Sequence, residues 1–213
     1  MITGTPEFWK VFKETNGALS VSEAIAIMNL AAQAPQANRC VEFGVYKGKS
    51  AMSAAFVLNH ALFYLVEPEF ENKAFKKEVE KTLKKIQPDV TKVDYSFSSM
   101  LSTDWLNDNE REFGYVFVDS GSHQDGLPMQ EVKLLEDRMV QGGIIVFHDC
   151  FAQFVEVTQS YEYLISTAKY EPISIDWDAI NKYVNDNNLN EGNISWHHTE
   201  LENPNFVGAV KRI

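Results

Sequence analysis

The chain has 213 residues, of which 45% are hydrophobic and 23% charged, values typical of a globular protein with a substantial core. Its formal net charge of −11 argues against nucleic acid or an anionic membrane surface as a partner, because both require a basic contact surface. The sequence shows no apolar run of membrane-spanning length and no signal-peptide pattern. We therefore predict a cytoplasmic protein in which Cys40 and Cys150 are reduced and buried.

Predicted strands and helices alternate along the chain. A helical lead-in spans residues 1–36, and in it Ser20 and Glu23 have the spacing of a capping box. Four apolar runs predict buried strands. They are RCVEFG, ALFYLVE, YVFVD and GGIIVFHD. A weaker strand is predicted at VTKVDY, EPISID is expected to be extended, and FVGAVKRI is predicted to be the final strand. Amphipathic helices fill the intervals, including one over LPMQEVKLLEDRMV.

This alternation predicts an α/β fold of the Rossmann-like, doubly wound type. Strands that read as continuous apolar runs are covered on both faces, as in a parallel sheet. We expect a mostly parallel seven-stranded sheet with an antiparallel last strand, all within one domain over residues 1–213. The Asn-rich stretch at residues 181–192 reads as a loop, and we interpret residues 177–198 as an insertion or lid.

The stretch GVYKGKS at residues 44–50 resembles a phosphate-binding P-loop but is one residue too short. A P-loop requires four residues between its glycines, whereas three separate Gly44 from Gly48. Glu42 lies beside the turn, where its charge would repel a triphosphate. The run YVFVD, which ends at Asp119, keeps a P-loop nucleotidase open as a less favoured alternative.

An acid at the end of the second strand suits a different ligand. Glu67 lies 25 positions after Glu42, and a carboxylate at this place can accept hydrogen bonds from both hydroxyls of a ribose. The turn leads into a helix N-terminus, which binds a small anionic group. S-adenosylmethionine has these features. It carries a ribose, a carboxylate, and positive charges that Glu42 would favour. We therefore predict that the turn holds the methionine end of this cofactor.

The order of motifs resembles a known family. VEFGVYKGKSA, LVEPE, VFVDSGSHQDG and GGIIVFHD are similar to the four consecutive motifs of class I S-adenosylmethionine-dependent methyltransferases. Within that class, they resemble the small-molecule O-methyltransferase-like branch, which includes macrocin-type sugar methyltransferases and cephalosporin-hydroxylase-like proteins. The resemblance covers roughly residues 17–150.

The resemblance implies which positions bind the cofactor. Lys49 begins the helix that follows the turn, and the residues near the adenine come after the third strand. The implied cofactor-binding residues are Glu42, Gly44, Gly48, Ser50, Glu67, Ser98, Ser99 and Asp119.

The same resemblance implies a catalytic set of Asp119, His123 and His148, and a metal-ligand set of Asp119, His148 and Asp149. His148 departs from the family, which has an acid there. The implied divalent ion is magnesium or manganese, although imidazole favours manganese, iron or zinc over magnesium. Asp119 and Asp149 would orient and acidify an acceptor hydroxyl, and His123 or His148 would accept its proton.

We therefore predict methyl transfer from S-adenosylmethionine to a hydroxyl of a small molecule. The alternative is an S-adenosylmethionine-binding protein without methyl transfer, serving as a regulatory or scaffolding subunit. Phe8, Trp9 and Phe12 are expected to be exposed in the lead-in, where they would allow packing on a second copy in a homo-oligomer.

Overall fold

A computed structural model describes residues 1–35, 39–86, 93–121, 123, 125–151, 154–189 and 206–213. The described strands form one sheet of seven. They are β1 (Arg39–Phe43), β2 (Leu62–Val66), β3 (Asp94–Ser98), β4 (Phe113–Val118), β5 (Met139–Phe147), β6 (Tyr170–Pro172) and β7 (Gly208–Arg212). Their order is β3-β2-β1-β4-β5-β7-β6. Strands β1 to β5 are parallel, whereas β7 is antiparallel to both β5 and β6. The predicted fold class is confirmed.

Helices cover both faces of the sheet. They are α1 (Pro6–Glu14), α2 (Val21–Ala31), α3 (Lys49–Ala55), α4 (Lys73–Ile86), α5 (Ser102–Asp108), α6 (Leu127–Leu135), α7 (Val155–Ser166) and α8 (Trp177–Asp186). The predicted capping box is present, because Ser20 and Glu23 bond to each other's backbone at the start of α2. The helix predicted to run through Val140 ends earlier, since Met139 already pairs with Phe113 of β4 as the first residue of β5.

Alternate residues along each central strand point to opposite faces of the sheet and belong to two separate hydrophobic cores. Cys40 and Tyr115 face a core with α1 to α4 and α8, and Val41 and Val116 face a core with α5 to α7. Both cysteines are buried, and neither forms a disulfide.

The aromatic residues of α1 correct one expectation. Phe8, Trp9 and Phe12 are buried rather than exposed. The Phe8 ring lies 4.9 Å from the ring of Phe56, so α1 packs on the helix layer of the same chain. These side chains are therefore unavailable to a partner chain.

The Asn-rich stretch is helical up to Asp186, although its composition predicts a loop. Helix α8 buries Ile180 and Val184, and Asp176 caps its first turn by accepting from the Ala179 N–H. Residues 190–205, which include the second half of the interpreted lid, lie outside the described residues, so the lid stays a prediction. Among the described helices, none combines the length and apolar character needed to cross a membrane.

Candidate active site

The glycine turn brings the ends of β1 and β4 together. Gly44 has a φ of +79°, and a Cβ there would overlap the carbonyl oxygen of Asp119 and lie 2.9 Å from Cα of Ser120. The sheet's backbone bonding continues past the strands, since Gly44 donates to Val66 and Asp119 donates to Phe43. Only glycine fits this position, and it holds the turn directly against Asp119.

Glu42 lies beneath the turn rather than at its surface, and Ser50 is its hydrogen-bond partner. The Glu42 carboxylate is fully buried, and the Ser50 hydroxyl donates to its Oε1 at 2.7 Å. Its Oε2 has no hydrogen-bond partner among the described residues. Burial raises the pKa of Glu42 well above its ordinary value, against the opposing effect of Ser50. Glu42 thus ties the end of β1 to α3, and its predicted contact with the cofactor stays a prediction.

Glu67 reaches across to the glycine turn. Its Oε2 accepts from the backbone N–H of Val45 at 3.1 Å and of Tyr46 at 3.2 Å. Its own N–H donates to the carbonyl of Ser98, so the ends of β2 and β3 meet here. Ser99 follows as an exposed residue. The residues predicted to contact ribose and adenine therefore lie side by side at one edge of the sheet.

Two acids and two histidines converge where β4 and β5 end. Oδ1 of Asp119 lies 3.3 Å from Nε2 of His123 and 3.3 Å from Nδ1 of His148. Oδ2 of Asp149 lies 3.2 Å and 3.4 Å from the same two nitrogens. The contacts of His148 are ionic rather than aligned hydrogen bonds, since neither of its nitrogens meets hydrogen-bond geometry among the described residues. We call these four residues the acid–histidine cluster.

The members of the acid–histidine cluster stabilise each other's charges. Burial acts to lower the pKa of His148, but Asp119 and then Asp149 outweigh burial and raise that pKa well above its ordinary value. Burial likewise opposes the charge of His123, yet the two carboxylates raise its pKa to about 9. The histidines in turn lower the pKa of Asp119 and Asp149 against the effect of burial. The two carboxylates therefore favour the cationic form of both rings.

The backbone around the cluster is strained in a way typical of functional sites. His123, Asp149 and Phe151 all have positive φ values, of +56°, +56° and +64°. Non-glycine residues adopt this region only where surrounding contacts hold them there. The ring of Phe154, at the start of α7, lies 4.8 Å from the His123 ring and is tilted by 60° to it.

One subset of the cluster has the spacing of a metal site. Ligand atoms of Asp119, His123 and Asp149 all lie within 4.8 Å of one another. The sequence-based set had His148 in place of His123. His148 stands equally near both carboxylates but is more deeply buried, with 7% of its side chain exposed against 12% for His123.

The chain is similar to proteins of one family. A family model described as a methyltransferase domain matches residues 41–150, more than half of the chain. The chain belongs to this methyltransferase family. The resemblance to class I S-adenosylmethionine-dependent methyltransferases is thereby confirmed, and the P-loop nucleotidase alternative is wrong.

Solved structures share the fold of this methyltransferase at low sequence identity. An O-methyltransferase from Bacillus cereus, in complex with SAH, has a TM-score of 0.60 at 11% identity, covering 82% of this chain and 86% of that one. The O-methyltransferase TomG from Streptomyces achromogenes, in complex with SAM, has a TM-score of 0.59 at 16% identity, covering 82% and 85%. A protein from Corynebacterium glutamicum has a TM-score of 0.65 at 12% identity, covering 99% and 91%. No curated protein sequence matches the chain.

A cleft of about 210 Å³ lies between the glycine turn and the acid–histidine cluster of this methyltransferase. One wall is the α1–α2 connection, Asn16 to Leu19. The other residues along it are Val45, Tyr46, Lys47, Lys49, Ser50, Asp119, His148 and Asp149. His123 does not line this cleft, so of the two rings it is His148 that faces a ligand there.

Sequence reasoning missed Glu23 as a member of the site. Its Oε2 accepts from the Ser20 N–H in the capping box, while its Oε1 lies 3.6 Å from Nε2 of His148. The side chain is fully buried. The capping-box spacing in the sequence predicts the contact with Ser20. It does not predict the contact with His148, because that contact joins α2 to the end of β5, which is distant in sequence.

We expect Glu23 and His148 to be energetically coupled. In a double-mutant cycle of Glu23→Gln and His148→Asn, the coupling in the free energy of unfolding should be about 1–3 kcal/mol, as for residues in one buried ionic network. Urea unfolding of the two single variants and the double variant measures it. A control cycle of Ser20→Ala with His148→Asn should couple by less than about 0.5 kcal/mol. Equal coupling in the two cycles would contradict a direct contact.

Glu131 is a second buried acid that sequence reasoning missed. It is fully buried in α6, and its Oε1 accepts from the hydroxyl of Ser120, the residue that follows Asp119. Burial raises the pKa of Glu131 to about 7, against the opposing effects of Ser102 and Ser120. The acid therefore supports the chain directly beneath the acid–histidine cluster.

The raised pKa of Glu131 predicts a pH-dependent effect of Glu131→Gln. The folded state favours the protonated acid, so the contribution of Glu131 to stability is full below its unfolded pKa of 4.5 and is lost as pH rises through about 7. Relative to wild type, the variant should gain up to about 3 kcal/mol between about pH 5 and pH 8. Urea unfolding at both pH values measures this gain. Exposed Glu171→Gln is the control, and a gain for Glu131→Gln that is the same at both pH values would refute the assignment.

Proposed function

We propose that this methyltransferase transfers a methyl group from S-adenosylmethionine to a hydroxyl of a small molecule, with a divalent metal at the acid–histidine cluster. The supporting observation is the convergence of Asp119, His123, His148 and Asp149 beside the glycine turn. In open α/β sheets, ligands bind outside the carboxyl ends of the strands, and these residues stand there.

The turn fits an amino-acid-bearing nucleoside. Glycine at position 44 lets the turn close tightly against Asp119, and the cleft beside the turn is lined by both basic and acidic side chains. Gly44, Gly48 and Ser50 would hold the methionine end, and Glu67 the ribose, with Ser98 and Ser99 towards the adenine. When bound, S-adenosylmethionine supplies a methyl group on a positively charged sulfur.

The acid–histidine cluster also fits a divalent cation. Two carboxylates and an imidazole within 4.8 Å offer a mixed oxygen and nitrogen donor set, which suits manganese better than magnesium. Asp119, His123 and Asp149 would hold the ion, which would supply Lewis-acid polarisation of the acceptor oxygen.

The remaining chemistry falls to the side chains of the cleft. Asp119 and Asp149 orient the acceptor hydroxyl at the carboxyl ends of β4 and β5, where alignment with the methyl donor accelerates the reaction. His148, which lines the cleft beside both carboxylates, accepts the hydroxyl proton. The His148 ring can accept a proton only when it is neutral. In that state, a cation other than His148 must balance the negative charges of Asp119 and Asp149. The acceptor itself is a small molecule whose hydroxyl reaches this point.

Calorimetric titration of the metal-stripped protein with S-adenosylhomocysteine tests this proposal. We expect micromolar affinity, and binding of Mn²⁺ in a separate titration that releases protons, because ligating His123 must lose its proton. Absence of S-adenosylhomocysteine binding with and without Mn²⁺ would overturn the proposal. Binding of the nucleoside without Mn²⁺ binding would remove the metal and leave the cofactor assignment.

A further inference from the structure

Lys49 is a buried cation on the wall of the cleft, and the proposed reaction does not use it. Only 4% of the residue is exposed, yet it lines the cleft together with Gly17 and the start of α3. Its ammonium donates to the carbonyl oxygen of Gly17 at 3.3 Å and lies 4.4 Å from the centroid of the Phe12 ring. Packing by α1 and the α1–α2 connection therefore fixes this charge at one place in the cleft.

A second lysine of the cleft has a different environment. The ammonium of Lys47 pairs with Glu78 at 2.7 Å and lies 4.8 Å from the centroid of the Phe75 ring, on the α4 side of the turn. Lys47 is thus directed to the neighbouring helix, whereas Lys49 is directed to the α1–α2 connection that forms the cleft wall.

The charged groups of the cleft lie at two separate places. Asp119 and Asp149 stand at its strand-end side, and the ammonium of Lys49 stands against the α1–α2 wall. A ligand that carries a carboxylate matches the charge of Lys49, whereas Asp119 and Asp149 already face His148. Because only 4% of Lys49 is exposed, water solvates its charge poorly, and burial lowers its pKa to about 8. A poorly solvated cation binds an anionic ligand strongly.

We propose that Lys49 binds the α-carboxylate of the amino-acid part of the nucleoside ligand. This inference rests on the proposed function, because it concerns the same cofactor, but it adds a residue and a recognised group. Lys49 thereby selects ligands with an intact amino-acid end, through a charge that α1 holds in place.

The test compares two ligands that differ by one group. S-adenosylhomocysteine carries the carboxylate, and its decarboxylated analogue keeps the ammonium, the sulfur and the nucleoside. Wild type should prefer S-adenosylhomocysteine by about ten- to hundredfold, the range for a hydrogen bond to a charged group. Lys49→Met should lose most of that preference while binding the decarboxylated analogue within about threefold of wild type. Lys47→Met is the matched control and should keep the preference.

Each outcome decides a separate point. If wild type binds neither ligand, the proposed function fails. If wild type binds both ligands equally, or if Lys49→Met weakens both to the same extent, only the assignment of Lys49 fails. Should Lys49→Met not fold, Lys49→Arg and Lys49→Gln replace it. The first should keep the preference for the carboxylate and the second should lose it, and equal preference in the two variants would overturn the inference.

Discussion

Asp119→Asn is expected to abolish methyl transfer while leaving the nucleoside bound. Asp119 contacts both histidines and belongs to the candidate metal group, so loss of its charge removes a ligand and the counter-charge of two rings. We expect the affinity for Mn²⁺ to fall by roughly a hundredfold, and methyl transfer to any acceptor that wild type uses to fall by about as much or more. The dissociation constant of S-adenosylhomocysteine should change by less than about threefold.

Electron paramagnetic resonance of free Mn²⁺ measures the first quantity, and calorimetry measures the last. Asp125→Asn is the matched control, because Asp125 is exposed in the same loop and also has a positive φ, +62°. It should leave both affinities unchanged. If Asp119→Asn loses the nucleoside along with the metal, Asp119 acts in cofactor binding, and a separate catalytic role is not supported. If it keeps both the nucleoside and Mn²⁺, the metal-ligand role is wrong.

The features that the sequence predicts well are those encoded by local pattern. Runs such as YVFV and IIVF are apolar because their strands are buried on both faces, and those strands are β4 and β5. Because parallel strands end at the same edge, placing Asp119, His148 and Asp149 at strand ends also predicts that they meet. The spacing of Ser20 and Glu23 predicts the capping box, since both partners lie in one turn of chain.

The features that the sequence does not predict arise from packing between distant segments. Nothing local to Glu23 indicates that its second oxygen faces His148, and nothing local to Lys49 indicates that Phe12 covers it. Both contacts depend on how the lead-in docks on the sheet. The same docking buries Phe8 and Trp9. Their burial depends on the surface of the same chain on which α1 packs, and the local sequence does not indicate that surface. His123 is brought against Phe154 by a loop with positive φ values, which no periodicity marks.

Among glycine-to-alanine substitutions in the turn, Gly44→Ala is expected to lower the free energy of unfolding the most. The left-handed φ of +79° costs an L-residue about 1–2 kcal/mol. The new Cβ would also overlap the backbone of Asp119, and relief requires the ends of β1 and β4 to separate, at a further cost of about 1–3 kcal/mol. The free energy of unfolding should therefore fall by about 2–5 kcal/mol, as measured by urea unfolding.

Gly126→Ala separates the two causes. Gly126 has a similar φ of +73°, but its nearest neighbour to an added Cβ is the end of the Gln130 side chain at 3.6 Å, an ordinary contact. This variant should lose only the conformational cost of about 1–2 kcal/mol. Because β1 and β4 carry the two sides of the cleft, Gly44→Ala should also weaken binding of S-adenosylhomocysteine, whereas Gly126→Ala should not. Equal losses of stability in the two variants would show that the close approach of Gly44 to Asp119 does not determine the turn.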